Sequence, residues 1–284
     1  MDAKKDETII SETAEYLQMG QVLLGAGKYN EAIDYLDKVL EKEPMNAVAY
    51  ITKGIAYASC EKYEKAKECF TRCIKIDKQF ADAYFQLGNI EFLMDNFQEG
   101  IKNYNLAVSY GFEDASLYFN LALVYEERDE VDEAIRYYTR AASIDETKAD
   151  YQIRKATLQI TSRRYEEALQ TLQKIRNRFP DSFEGYHLSA AALTMTGRYE
   201  EADEVLRKAL VLFPEDTELI FDRMRILIIK EDLQEALKLL EETKTKIDSP
   251  EDKKEILLNE AKIRGQMENM SDAQKLLEEA LEIK

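Results

Sequence analysis

One histidine, three cysteines, four prolines and no tryptophan occur in 284 residues. With His187 alone, a catalytic centre or metal site built on several imidazoles is excluded. No G-x-G-x-x-G, Walker-type or H-E-x-x-H pattern is present, which removes the usual sequence signs of nucleotide binding and zinc-protease chemistry. The cysteines lack the spacing of a secreted disulfide framework and fit a reducing compartment. No apolar run approaches the roughly 20 residues that a membrane-spanning helix needs. The opening stretch, MDAKKDETIISETAEY, has no apolar core of the secretion-signal kind. A cytoplasmic protein with no membrane span is the expectation. Positive charge is also scarce: 39 Lys and Arg stand against 56 Asp and Glu, a net charge of −17. So acidic a chain repels phosphate backbones, and no nucleic-acid partner is expected. Glycine is sparse too, at ten residues, which suits helices better than turn-rich sheets.

What is present is periodic. Ala32, Ala66, Gly100, Ala134, Ala168, Ala202 and Ala236 fall thirty-four residues apart. Gly20, Gly54, Gly88, Ala122, Ala156 and Ala190 form a second series with the same interval, twelve residues ahead. A fixed period of this length marks stacked supersecondary units. Within 115–148, Tyr118, Leu121, Ala122 and Tyr125 trace the apolar stripe of one amphipathic helix. Ala134, Ile135, Tyr138, Ala141 and Ala142 trace another. The polar stretch 126–130 between them is short enough for a tight turn, so each unit reads as an antiparallel helix hairpin. Small residues at 122 and 134 let the two backbones approach where the helices cross. Pro44, Pro180 and Pro214 share one phase, just past the second helix, where a residue unable to continue a helix belongs.

These residues resemble the tetratricopeptide repeat. The first unit supplies Tyr16, Met19, Gly20, Leu23, Ala32, Leu36, Val39 and Pro44 to the family pattern. The sixth supplies Tyr186, Ser189, Ala190, Leu193, Ala202, Leu206, Ala209 and Pro214. GKYNEA (27–32), RRYEEA (163–168) and GRYEEA (197–202) match the family's wording around motif position twenty. Repeats are expected at 13–46, 47–80, 81–114, 115–148, 149–182, 183–216, 217–253 and 254–284. They follow a flexible leader, residues 1–12, with Ser11 or Thr13 capping the first helix. The resemblance implies an all-α, right-handed α-solenoid of about eight helix-turn-helix repeats. Each repeat then touches only its neighbours, so no domain boundary is needed inside the array.

Some positions depart from the pattern. Lys53, Lys155, Arg223 and Glu260 replace the apolar residue at motif position seven, and Glu91, Gln159 and Arg264 the bulky one at position eleven. Repeat five has Gln152 at position four, with Tyr151 one place early, and repeat seven carries an insertion near 248–253. Local packing is in question around repeats five, seven and eight.

Chemistry-bearing residues are few. Cys69 and Cys73 lie one helical turn apart with Cys60 nearby. The small-residue slot at position twenty-seven accounts for Cys73, so core residues rather than a metal site are expected. Most of the seventeen tyrosines occupy packing phases. No enzyme, metal or cofactor is expected. In the family the first helix of each repeat builds the binding face. Position five there reads Leu17, Ile51, Phe85, Phe119, Ile153, His187, Phe221 and Leu258. This apolar ladder is either packing or a groove floor. The family's carboxylate clamp finds Asn89, Asn120 and Arg154 at three of its places in repeats three to five. Phe85 and Asp150 occupy the two lysine places, and Asp150 would repel a carboxylate. What the resemblance leaves is an amide-lined groove with one cation: Phe85, Gln86, Asn89, Phe92, Phe119, Asn120, Arg154 and His187. The functional expectation is a non-enzymatic scaffold holding a peptide or helical segment of a protein partner in that groove. The alternative is a structural protein that self-associates through its terminal repeats or convex faces, or one continuing past the final repeat. Leu281 and Ile283 motivate this alternative, since they occupy phases that elsewhere meet the next repeat.

Overall fold

A computed structural model describes residues 2–244 and 249–283, with residues 2–11 given by their backbone alone. Among these residues there are sixteen α-helices and no strand. They fall into two compact units, residues 1–145 and 146–284. The first unit contains α1 (Asp2–Gly25), α2 (Tyr29–Lys42), α3 (Ala47–Ser59), α4 (Tyr63–Ile76), α5 (Ala81–Leu93), α6 (Phe97–Ser109), α7 (Ala115–Glu127) and α8 (Val131–Ile144). The second contains α9 (Asp150–Thr161), α10 (Tyr165–Arg178), α11 (Phe183–Met195), α12 (Tyr199–Leu212), α13 (Thr217–Ile229), α14 (Leu233–Lys244), α15 (Pro250–Gln266) and α16 (Met270–Glu282). Odd and even helices pair as the two arms of a hairpin, and within each unit each hairpin packs on the next.

One backbone device closes all eight hairpins. Gly27, Glu61, Asp95, Asp129, Arg163, Gly197, Glu231 and Glu268, all at motif position fifteen, take left-handed conformations with φ between 58 and 74°. The amide of the following residue then reaches back five positions, from Lys28 to the Leu23 carbonyl through to Asn269 and the Arg264 carbonyl, at 2.7–2.9 Å. This is a Schellman ending, which satisfies carbonyls that the finished helix would leave bare. Only Gly27 and Gly197 enter that region without steric cost. At the other end of the hairpin, side chains at motif position thirty-four cap the next first helix. Asn46, Ser182 and Asp216 accept from the amides of Ala49, Gly185 and Leu219 at 2.9, 3.1 and 3.0 Å.

The periodic small residues are the crossing points. Ala32, Ala66, Ala134, Ala168, Ala202 and Ala236 are wholly buried. A Cβ on Gly54 would sit 2.4 Å from the Phe70 ring, and one on Gly88 would sit 2.6 Å from Tyr104. Aromatic rings thus press directly on bare α-carbons, and the helices meet there more closely than a methyl group would allow.

The off-pattern charges other than Lys155 find partners. Lys53 bonds to Asp37 and Lys244 to Glu260, both pairs sixteen residues apart. Glu91, 3% exposed, takes Lys67 at 2.6 Å and Asn96 at 3.0 Å. Arg223 bonds to Asp203 at 2.9 Å and Glu235 at 3.1 Å, and buried Gln159 accepts from Thr171 at 2.9 Å. Paired in this way, polar groups occupy an apolar seam without the several kcal/mol that an isolated buried charge costs, about 3–5 when one partner is removed. In repeat five Tyr151 turns inward to 5% exposure and takes the place of the missing bulky residue at 152. Thr13 is not a cap. It lies inside α1, and its hydroxyl donates to Glu43 Oε1 at 2.5 Å. The side chain of Ser11 and residue Asp248 of the insertion lie outside the described residues; from Ser249 onward, that serine caps α15 through the Asp252 amide at 3.0 Å.

Candidate functional site

In the first unit, α5 and α7 carry six of the eight expected groove residues. Asn89 and Asn120, thirty-one positions apart, are brought together: Asn120 Nδ2 donates to Asn89 Oδ1 at 2.8 Å. The same oxygen accepts from the Tyr104 hydroxyl at 2.8 Å, so both its lone pairs are engaged. Tyr104 is fully buried on α6, and burial drives its hydroxyl pKa upward, so it remains a neutral donor. Asn89 Nδ2 donates onward to Gln86 Oε1 at 3.4 Å, and Gln86 Nε2 to Asp82 at 3.3 Å. The Asp82 carboxyl is raised above its ordinary range by burial, against the Gln86 bond. A chain of amides therefore runs along α5 and crosses to α7. Asn120 keeps its carbonyl oxygen as an acceptor for a ligand.

The aromatic residues divide. Phe92 and Phe119 are half-buried, tilted against Phe97 at 5.8 Å and Tyr138 at 5.6 Å. Phe85 turns inward, 8% exposed, stacked on Phe112 at 4.6 Å. It packs with Tyr104, Leu117 and Leu121 in the core instead of lying open on the face. Phe112, from the turn after α6, is the residue that covers it; nothing in the repeat phase marks Phe112 for that role. Position five as a whole splits the same way, with Ile51 and Phe221 buried and Leu17, Phe119, Ile153 and Leu258 half-buried.

The other two residues belong to the second unit. Arg154 on α9 is exposed, with no ion pair among the described residues. His187 on α11 stacks on Phe183 at 5.6 Å and faces two carboxylates of α13, Asp222 at 3.4 Å from Nδ1 and Glu218 at 3.6 Å from Nε2. Among the described residues no group of three His, Cys, Asp or Glu is placed to hold a metal ion. None of the described helices is long and apolar enough to cross a membrane.

Family profiles described as tetratricopeptide repeat match residues 16–44, 47–80, 85–149, 126–193 and 183–216. The chain belongs to the tetratricopeptide-repeat family. Residues 217–284 lie outside those matches, yet α13 to α16 form two further tetratricopeptide hairpins, with Glu231 and Glu268 at the left-handed position. Solved structures of similar fold include YrrB, described as a TPR protein with an unusual peptide-binding site, at 20% identity and a TM-score of 0.55. That match covers 65% of this chain and 95% of the other. PilF of Pseudomonas aeruginosa matches at 18% identity and a TM-score of 0.59, covering 75% and 96%. A tetratricopeptide-repeat protein from Parabacteroides merdae matches at 18% and 0.54, covering 84% and 93%. At these identities the likeness establishes the fold. No curated protein sequence matches the chain.

Proposed function

We propose that this tetratricopeptide-repeat chain is a non-enzymatic scaffold that binds an extended or helical segment of a protein partner on the first-helix face of repeats three and four. The Asn89–Asn120 amide pair carries the reading. A hydrogen-bonded amide chain that is held in place from below by Tyr104 is rigid, and it leaves acceptor capacity on Asn120 for a peptide backbone. Phe92 and Phe119 flank it with apolar surface. Arg154 and His187, at motif positions six and five of the next two repeats, belong to the second unit and are tested separately by substitution. YrrB, described as having an unusual peptide-binding site, is in keeping with this use of the fold. The test is binding of a captured partner by Asn120→Ala, by Arg154→Ala and by both together. Roughly tenfold weaker binding for Asn120→Ala, with the helical circular-dichroism signal intact, supports the groove; unchanged affinity in the double variant moves the site elsewhere.

A second reading, self-association, rests on α16. Leu277 and Leu281 lie one turn apart and are 45% and 79% exposed. If copies meet through this edge, Leu277→Lys with Leu281→Lys lowers the mass measured by light scattering at high concentration. A wild-type chain that is monomeric at every concentration ends this reading.

A further inference from the structure

Repeat five is positively charged in an acidic protein. Residues 149–182 hold seven Lys and Arg against four Asp and Glu, in a chain of net charge −17. On the second-helix side of this region, a hollow of about 610 Å³ opens between α10 and α12, with Leu193 of α11 in its lining. Three carboxylates line it, and all three are engaged. Glu166 and Glu201 pair with Arg198 at 3.4 and 2.7 Å, and Glu204 pairs with Lys208 at 2.7 Å. None is left for the two remaining cations, Lys174 and Arg176.

Arg176 differs from most of the inward-drawn charges among the described residues. Its Nη2 donates to Gln173 at 2.8 Å, and the guanidinium lies over the Tyr186 ring at 5.8 Å. Its Nη1 is buried and has no acceptor. Lys53, Arg223, Glu91 and Glu260 each meet an opposite charge. Buried polar groups are nearly always satisfied, so the orphaned Nη1 leaves this permanently charged guanidinium short of an acceptor within its own surroundings. Lys155 on α9 registers the same excess, its pKa lowered first by burial and then by Lys174.

We propose that the α10–α12 hollow is a second binding site, distinct from the first-helix groove, that takes a carboxylate side chain of an Asp- or Glu-containing segment of a partner protein onto Arg176 and Lys174. A guanidinium fork matches a carboxylate with two parallel hydrogen bonds. Half-buried Leu169 and Val205 in the lining offer apolar contact to the methylenes beside the carboxylate. The rim carboxylates favour a single negative charge over a doubly charged phosphate. The acidic remainder of the chain repels a long polyanion, whereas a short acidic segment responds mainly to charges within the Debye length, about 8 Å at physiological salt.

Fluorescence anisotropy with a short labelled peptide of Asp, Glu and Leu tests this, beside its Asn and Gln counterpart, inorganic phosphate and a single-stranded oligonucleotide. The wild-type chain is expected to bind the acidic peptide and not the neutral one, more weakly as salt rises. Arg176→Met with Lys174→Gln is expected to weaken binding at least about tenfold, and Arg154→Ala in the first-helix groove to leave it unchanged. Circular dichroism checks the fold; should Arg176→Met unfold, Lys174→Gln alone, at an exposed position, is expected to weaken binding several-fold. Equal binding of the neutral peptide, preference for phosphate or the oligonucleotide, or an acidic-peptide affinity indifferent to both substitutions overturns the proposal. Loss of binding in Arg154→Ala alone assigns the acidic peptide to the groove and overturns it as well.

Discussion

Arg223 Nε donates to Asp203 Oδ1 at 2.9 Å, tying the first helix of repeat seven to the second helix of repeat six. Asp203 is 1% exposed, also takes Arg207 at 2.6 Å, and has Lys230 at 3.6 Å. Burial pushes its carboxyl pKa up, but the hydrogen bonds from Arg223 and Arg207 outweigh burial and hold it below the usual aspartate range. A lowered folded-state pKa means that the stabilisation is complete above the unfolded value, about 3.9. It is lost as pH falls from there through the folded value. Arg223→Met is expected to cost about 3 kcal/mol, since it strands a buried carboxylate, and Asp203→Leu with Arg223→Met to cost much less. Denaturant unfolding of both variants and the wild type between pH 3 and 7 checks the size and the pH window.

The left-handed turn residues predict a gain. Arg163 and Glu231 hold φ of 60° with a Cβ attached, a conformation that strains most side chains by about 1 kcal/mol. Arg163→Gly and Glu231→Gly are each expected to raise stability by about 0.5 kcal/mol, after the entropy that glycine loses on folding. Gly197→Ala, at φ 73°, is expected to lower it by about 1 kcal/mol. Melting temperatures that move the other way would show that something other than the backbone decides these turns.

At Gly54 and Gly88, alanine carries opposing effects. It favours the helix by about 1 kcal/mol. Its methyl group, however, would enter the Phe70 or Tyr104 ring at 2.4 and 2.6 Å, and overpacking of this kind costs about 1–3 kcal/mol. Both substitutions are expected to destabilise on balance. Gly25→Ala, with open space around the added carbon, is expected to stabilise in the same thermal assay.

The thiols should divide by burial. Burial drives the Cys69 pKa up to about 11 and that of wholly buried Cys73 up to about 12, while Cys60 is half-buried at the end of α3. The thiolate is the reacting form. Alkylation at pH 8 under native conditions is therefore expected to modify Cys60 first by a wide margin, with the other two labelled only after unfolding. Mass spectrometry with peptide mapping reads the order, and early loss of Cys73 would contradict its burial.

Local chemistry is what the sequence determined. A thirty-four-residue recurrence of small residues specifies two helices crossing closely, because only small residues permit the approach. Stripes at i, i+3, i+4 and i+7 assign each helix a buried face. Those features rest on contacts within one hairpin, where sequence distance and spatial distance run together. They extend the fold to repeats seven and eight, past the stretch that the family profiles match. The tertiary structure decided how neighbouring hairpins meet. Lys53 and Arg223 sit where an apolar residue belongs, and only the packing of one hairpin on the next shows that Asp37 and Asp203 await them. Asn89 and Asn120 occupy ordinary helix positions until packing sets their amides 2.8 Å apart, while Phe112 folds back to draw Phe85 into the core. The orphaned Nη1 of Arg176 is likewise invisible in the sequence, where acidic residues lie close by along the chain. The carboxylates of the hollow, Glu166, Glu201 and Glu204, are held by Arg198 and Lys208, and which cation wins depends on the rotation of each helix and the reach of each side chain.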